Sequence, residues 1–315
     1  MSKPKLEKVV DIRLKRSQEV VELVDQMYDA GGFMGRHLAE AARIYSDMLS
    51  DKGCTKFLSF PAAPIATGLR GVIVDIIKEK MVDVIITASG TLDHDLARTW
   101  GHYYLGSFDL DDSKLLKLGY HRLANLLVPL DDYGPAIEKK LQHWLEETYA
   151  SGKKSMSTEE LCVGLGRMVD DEDSLLYWAQ KRGVPVFVPG PMDGAVGSQL
   201  WLFANRRSDF QIDVIRDEKR LADIVFDSKK SGAMIIGGGI SKHHTLWWNM
   251  FKGGLDYACY ITTAVEWDGS LSGAQVKEAI SWGKVREKAK KTTLYADATT
   301  VLPLIATYAL TKARR

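Results

Sequence analysis

The stretch AMIIGGGISKHH, residues 233–244, decides the fold. A short run that is apolar on both faces gives way to three glycines, and helix-compatible residues follow. A strand with no polar face has to be covered on both sides, which is the condition of a parallel sheet held between two helical layers. Glycines at such a turn let backbone N–H groups close on a ligand at the start of a helix, where the dipole favours an anion. A tight strand-to-helix turn also wants glycine, and the spacing is not GxGxxG. The turn alone therefore leaves both readings open.

The same alternation recurs on either side. Residues 56–60, 82–87 (VDVIIT), 123–128, 184–188, 211–215, 257–261 and 292–295 are short apolar runs bounded by turn residues, with helical patterns at 69–78, 133–149, 158–168 and 172–180. Residues 17–48 carry apolar positions every three or four, interrupted by Gly31 and Gly32, and predict two helices ahead of the first strand. The pattern predicts a doubly wound, mostly parallel α/β sheet with helices on both faces. Residues 1–50 form an N-terminal helical extension, and residues 51–315 a single α/β catalytic domain.

Ligands of such sheets bind beyond the carboxyl ends of the strands. Small residues and acids gather there. Ala88, Ser89 and Gly90 follow the run at 82–87, with Asp93, His94 and Asp95 just beyond. Asp193 and Gly194 follow 184–188, Thr262, Thr263 and Ala264 follow 257–261, and Asp297 follows 292–295. His243 and His244 are helical neighbours, so their side chains point about 100° apart and do not suit one metal ion. No metal site is expected. Asp93 and Asp95 read equally well as acids that complement a helix N-terminus.

Composition narrows the partners. Lys plus Arg (42) nearly cancels Asp plus Glu (41), so nothing marks the chain as a binder of nucleic acid or of a membrane surface. The basic tract 284–291 (KVREKAKK) reads as a solvated helix face or loop. The three cysteines have no CxxC spacing and fit free thiols in a reducing compartment. With no apolar leader and no run of ~18 apolar residues, a cytoplasmic protein is expected.

The chemistry concentrates near SWGK, residues 281–284. Glu278 and Trp282 stand four apart on one face of a predicted helix over residues 276–282, and Gly283 is a natural helix end that leaves Lys284 at the C-terminal edge. Two roles for Lys284 are open from spacing. It complements the negative helix end, or it is an amine nucleophile desolvated by aromatic surface. The second role asks that a lysine amine be moved from ~10.4 toward ~7–8, roughly 4 kcal/mol of differential solvation.

Residues 81–98, 120–129, 184–197, 232–244 and 260–298 together resemble the segments of deoxyhypusine synthase in the same order, and the archaeal type most closely. IIGGG-x-x-KHH, EA-x-SWGK and YADA are the specific motifs. The resemblance implies NAD at the strand ends, held by Thr87, Ala88, Ser89, Asp193, Gly238, Thr263, Ala264, Asp297 and Ala298. It implies that Lys284 forms an imine with the substrate. His243, Glu278 and Trp282 then line a polyamine pocket, with Asp268, Gly269, Ser270 and Asp93 also binding substrate. The implied reaction oxidises spermidine and releases 1,3-diaminopropane. It passes the aminobutyl group to a lysine of the translation initiation factor 5A precursor, and the implied assembly is a homotetramer. His94, Ser198 and Leu271 stand where the eukaryotic pattern has acids, which leaves polyamine specificity open. Other readings are a homospermidine-forming transferase with a free diamine as acceptor, a non-catalytic NAD-binding regulator, and a plain NAD-dependent dehydrogenase.

Overall fold

In a computed structural model that describes residues 8–313, six strands pair side by side: Cys54–Phe60 (β1), Val84–Thr87 (β2), Val186–Phe187 (β3), Lys230–Ile236 (β4), Leu255–Thr262 (β5) and Val285–Tyr295 (β6). Every pairing is parallel, and the spatial order is β6-β5-β4-β1-β2-β3. That order reverses direction between β1 and β4, the switch point of a doubly wound sheet.

Alternation along the strands explains the two layers. Leu58, Ile85, Met234 and Cys259 pack into one core with helices Phe33–Ser50, Leu69–Lys78 and Ala298–Ala313. Phe57, Val84, Ala233 and Tyr260 face the other way, against helices Val214–Asp227 and Gly239–Met250. Neighbouring residues of one strand thus feed opposite cores, as a parallel sheet buried on both faces requires. The helices Val20–Ala30 and Phe33–Ser50 are joined by Gly31 in the left-handed region (φ 70°) and Gly32, as the glycine pair predicts. Ala39, Ala42, Tyr45 and Met48 of the second helix are buried in the first core.

Four sequence expectations need correction. Residues 123–128 are not one strand of the main sheet. Tyr120–Leu123 and Leu126–Pro129 form an antiparallel hairpin, turned at Ala124 (φ 55°), that pairs with Tyr104–Leu105 outside the main sheet. Residues 211–215 yield only Gln211–Ile212, paired with Ser155–Met156, because Asp213 accepts the Arg216 amide (3.2 Å) and starts a helix at Val214. The last strand begins at Val285 rather than residue 292, so the basic tract is neither helix nor loop. As an edge strand β6 has one neighbour, and its free side tolerates Arg286, Lys288 and Lys290. The helix expected over residues 276–282 shrinks to Glu278–Ser281.

Three buried carboxylates join helices to one another. Asp93 accepts the amides of Ala195 and Val196 (2.8 Å each), the first two residues of helix Ala195–Arg206. Asp95 accepts the amides of Leu175 and Leu176 (3.1 Å each) and the Ser174 hydroxyl (2.6 Å) at the start of helix Leu175–Arg182. Asp217 does the same for Thr158 (2.7 Å) and Glu159 (3.0 Å). Each acid complements the dipole of a helix other than its own, so the capping is tertiary. Asp95 is also bound by Arg70 (2.7 Å), itself buried, and Arg70 reaches on to Asp171 (3.1 Å).

Removing one member of a buried ion pair strands the other charge, which costs about 3–5 kcal/mol. Asp95→Ala should therefore lower unfolding stability by about that amount in urea titration. A loss within the range of a surface substitution would show that the Arg70 network is not structural.

Candidate active site

Two cavities neighbour the Gly237–Gly239 turn and the helix that follows it. The larger, about 520 Å³, lies over the ends of β1, β4, β5 and β6. Its floor is the turn Gly237–Gly238–Gly239, and its sides include Thr263, Ala264, Asp297, Ala298 and Ser272. Gly237 and Gly239 both take φ 68°, which an L side chain adopts only with strain, and helix Gly239–Met250 begins directly at the turn. A Cβ on Gly238 would collide with Ser272. The glycines are required by backbone conformation and by close packing, and they border a cleft at a helix N-terminus.

The smaller cavity, about 270 Å³, lies beneath helix Gly239–Met250 and is lined by Lys242, His243, Trp247, Tyr260, Glu278, Trp282 and Lys284. A single loop separates it from the first: Ser272 lines the larger space, Leu271 and Ala274 the smaller.

Local chemistry explains how Lys284 reaches this cavity. Helix Glu278–Ser281 closes with Gly283 at φ 67°, the Gly283 amide bonding the Ile280 carbonyl (2.9 Å) and the Lys284 amide the Ala279 carbonyl (2.9 Å). This glycine-terminated closure reverses the chain, as the sequence predicts for Gly283. The Lys284 carbonyl then accepts the Leu255 amide (3.0 Å), which opens the pairing of β5 with β6. The Lys284 side chain does not turn back to the helix end. It is 8% exposed, and its Nζ lies 5.0 Å from the Trp282 ring centre and 5.7 Å from that of Trp247. Of its two open roles, the geometry favours an amine held against indole surface.

His243 stacks on Trp247 (5.5 Å, 21°), and burial followed by the Lys284 charge lowers its pKa. Glu278 stands exposed at the mouth, and Trp282 is 62% exposed there. Tyr260 is buried, with a hydroxyl that has no hydrogen-bond partner among the described residues, and burial raises its pKa. Lys242 is 1% exposed, and burial brings its pKa down to about 8 against the pull of Glu278.

The expected residues divide between gathered and scattered. Gly238, Thr263, Ala264, Asp297 and Ala298 meet in the larger cavity, while His243, Glu278, Trp282 and Lys284 meet in the smaller. Thr87 and Ser89 lie over β2 with their hydroxyls committed to the carbonyls of Phe60 (2.8 Å) and Pro191 (2.9 Å). Ala88 opens the adjoining helix, and Asp193 is exposed on the turn ahead of helix Ala195–Arg206. Asp268, Gly269 and Ser270 form a surface turn in which the Ser270 amide bonds Asp268 (2.7 Å). Asp93 is consumed by the start of helix Ala195–Arg206 and by the Tyr133 hydroxyl (2.9 Å). None of these last eight lines either cavity. Of the three departures from the eukaryotic pattern, Leu271 lines the smaller cavity. Ser198 is exposed, and His94 meets the Tyr103 hydroxyl (2.8 Å) with its pKa lowered to about 4, chiefly by burial.

Sequence reading missed Lys242, Trp247 and Tyr260. Lys242 precedes Leu246 by four residues, so helical periodicity alone sets a lysine on the buried face.

A doubly wound sheet with a glycine-walled cleft at its switch point, and a buried lysine in the adjoining cavity, places the chain in the class of doubly wound α/β proteins. Comparisons with known proteins narrow the class. The family model for deoxyhypusine synthase matches residues 22–309. A Thermoplasma volcanium protein named "Probable deoxyhypusine synthase" is 52% identical over 305 residues, covering 97% of this chain and 96% of its own. One of the same name from Ignicoccus hospitalis is 44% identical over 314 residues, covering 98% and 97%. The chain belongs to the deoxyhypusine synthase family and is a transferase. The crystal structure of an Entamoeba histolytica protein assigned to that activity superposes with a TM-score of 0.67 over 96% of both chains, at 19% identity, and shows the shared fold.

Neutral buried histidines give stability a pH dependence. For His94 the folded pKa (about 4) lies below the unfolded value of 6.5, so the unfolded state binds the extra proton between them. Stability should fall as pH drops from about 6.5 to about 4. His94→Gln should flatten that slope in urea midpoints measured across the window, and an unchanged slope would mean that His94 is not held neutral.

Proposed function

We propose that this chain transfers the aminobutyl group of spermidine, through an imine at Lys284, to a lysine of the translation initiation factor 5A precursor, in the cytoplasm and as a homotetramer. One observation carries the reading: a buried lysine lies between two indoles in a cavity that shares a wall with the glycine-floored cleft.

The larger cleft suits NAD. Gly238 admits no Cβ, the turn presents amides at a helix start, and Asp297 supplies a carboxylate on the cleft wall. Gly238, Thr263, Ala264, Asp297 and Ala298 would hold it, with Thr87, Ala88, Ser89 and Asp193 on the far side of the switch point. NAD when bound supplies a hydride acceptor and returns the hydride at the end, so the transfer is redox-neutral overall.

The protein's own groups do the rest. Glu278 pairs with an ammonium of the polyamine, while Trp282 and Trp247 cover its methylenes. At the oxidised carbon beside the secondary nitrogen, the Lys284 amine adds, and the bond to 1,3-diaminopropane breaks. His243, stacked on Trp247 and lining the same cavity as Lys284, is placed to accept the proton that Lys284 releases. The acceptor lysine then displaces Lys284 from the imine. Trp282 and Glu278 leave the cavity mouth open to a macromolecular acceptor. Asp268, Gly269, Ser270 and Asp93 lie outside the cavity within one chain, and a role for them requires another copy in the assembly. The exposed Leu105, Phe108 and Leu118 on the hairpin arm support association.

Intact mass after incubation with spermidine and NAD, followed by borohydride, tests the central step. One aminobutyl unit should appear on the protein and be absent in Lys284→Ala. No adduct in the unaltered protein would overturn the reading. Tyr260→Phe removes a hydroxyl without a hydrogen-bond partner among the described residues, so KM for spermidine should rise about 3- to 10-fold with NAD affinity unchanged. An unchanged KM would mean that the hydroxyl does not meet the amine.

A further inference from the structure

We infer that Lys242 is a positioning residue: its side chain clamps the loop that divides the cofactor cleft from the amine cavity, and so fixes the register in which the two ligands meet. The inference rests on the function proposed above and adds a component that the reaction scheme does not use.

The loop over residues 265–277 runs from the end of β5 to helix Glu278–Ser281 and has only one short helical turn, Glu266–Asp268. Most of its hydrogen bonds fold it on itself. The Ser270 amide bonds the Asp268 carboxylate (2.7 Å), the Gly273 amide bonds the Ser270 carbonyl (3.2 Å), and Gln275 bonds Glu266. Such bonds shape a loop without fixing where it sits. Ties to the body have to come from elsewhere, and Lys242 supplies two. Its Nζ donates to the carbonyls of Leu271 (2.7 Å) and Ala274 (3.0 Å). The Val276 amide adds another, to the Thr293 hydroxyl (3.0 Å) on β6.

The clamped residues are the partition itself. Leu271 and Ala274 face the amine cavity, and Ser272, between them, faces the cofactor cleft and packs on Gly238. A displacement of this segment would widen one space and narrow the other. Transfer between bound partners is sensitive to such displacement, and about 1 Å of misplacement can cost about 100-fold in rate.

Burial of the clamp is costly, which marks it as purposeful. Lys242 is 1% exposed, and its Nζ sits 4.2 Å from the Tyr260 ring centre, so its three donors meet two carbonyls and an aromatic face. A methionine would fill the same space without desolvating an ammonium. The lysine is the better choice only if holding the loop carbonyls matters. Its depressed pKa, about 8, is the signature of that desolvation.

The test compares Lys242→Met and Lys242→Arg with the unaltered protein, using hydrogen exchange, NAD titration and steady-state spermidine cleavage. Lys242→Met should speed amide exchange selectively over residues 265–277. It should lower kcat by about 100-fold while KM and NAD affinity move by less than about threefold. Lys242→Arg, whose guanidinium can serve both carbonyls, should keep kcat within about threefold. Unchanged exchange in the loop, or a Lys242→Met kcat within about twofold, would overturn the inference. So would a general loss of thermal stability with parallel loss of NAD binding, which is the mark of a merely structural lysine. If Lys242→Met does not fold, the arginine variant decides: a folded Lys242→Arg that loses tenfold or more in kcat overturns the clamp. Were the unaltered protein to cleave no spermidine, the proposed function would fall, and exchange over the loop would still judge the clamp.

Discussion

Parallel pairing constrains everything else here. A parallel strand cannot be joined to its neighbour by a tight turn, so each connection crosses a face of the sheet, usually as a helix. Six parallel strands accordingly direct their carboxyl ends to one edge and gather helix starts there. The edge collects exposed amides and the positive ends of dipoles before any side chain is chosen. Between β4 and β1 the winding reverses and the covering helices part, leaving the cleft. Its glycine turn is the local price of letting a backbone form the floor.

The same accumulation of helix starts creates a problem that the buried acids solve. Helices beginning in the interior carry amides that water cannot reach. Asp93, Asp95 and Asp217 satisfy them from neighbouring helices, so a single residue both neutralises a dipole and fixes an inter-helix angle. Burial pushes the Asp93 carboxyl upward, which its hydrogen bonds to Ala195, Val196 and Tyr133 oppose. These acids hold the frame on which the cavities depend, and Asp93 is a structural anchor rather than a free carboxylate within one chain.

Function then lives in the contrast between the two cavities. One is walled by glycine and small residues, so that backbone can approach a ligand. The other is walled by indoles, a phenol and two lysines. They share a helix, whose first residue lines the first cavity and whose Lys242 and His243 line the second, and they share the loop that Lys242 holds. The two spaces are therefore shaped by the same two elements.

Sequence by itself determined the layer order and the strand-to-helix turns. Period-two and period-3.6 patterns, glycine at a left-handed turn and the Gly283 helix end are local consequences of side-chain shape. Helix Thr158–Met168 falls where the pattern sets it, and helix Leu69–Lys78 likewise. The pattern failed where a tertiary partner outweighed it. An edge position let KVREKAKK join the sheet despite its charge, and Asp213 turned an apolar run into a helix start. Only the tertiary structure decided that Lys284 turns inward to two indoles, that Asp93 caps a distant helix, and that Lys242 is buried. Apart from Trp282, which neighbours Lys284, each of these partners lies at least ten residues away in the chain. Local propensity carries no information about which distant group will meet a side chain, because that follows from the packing of whole helices and strands.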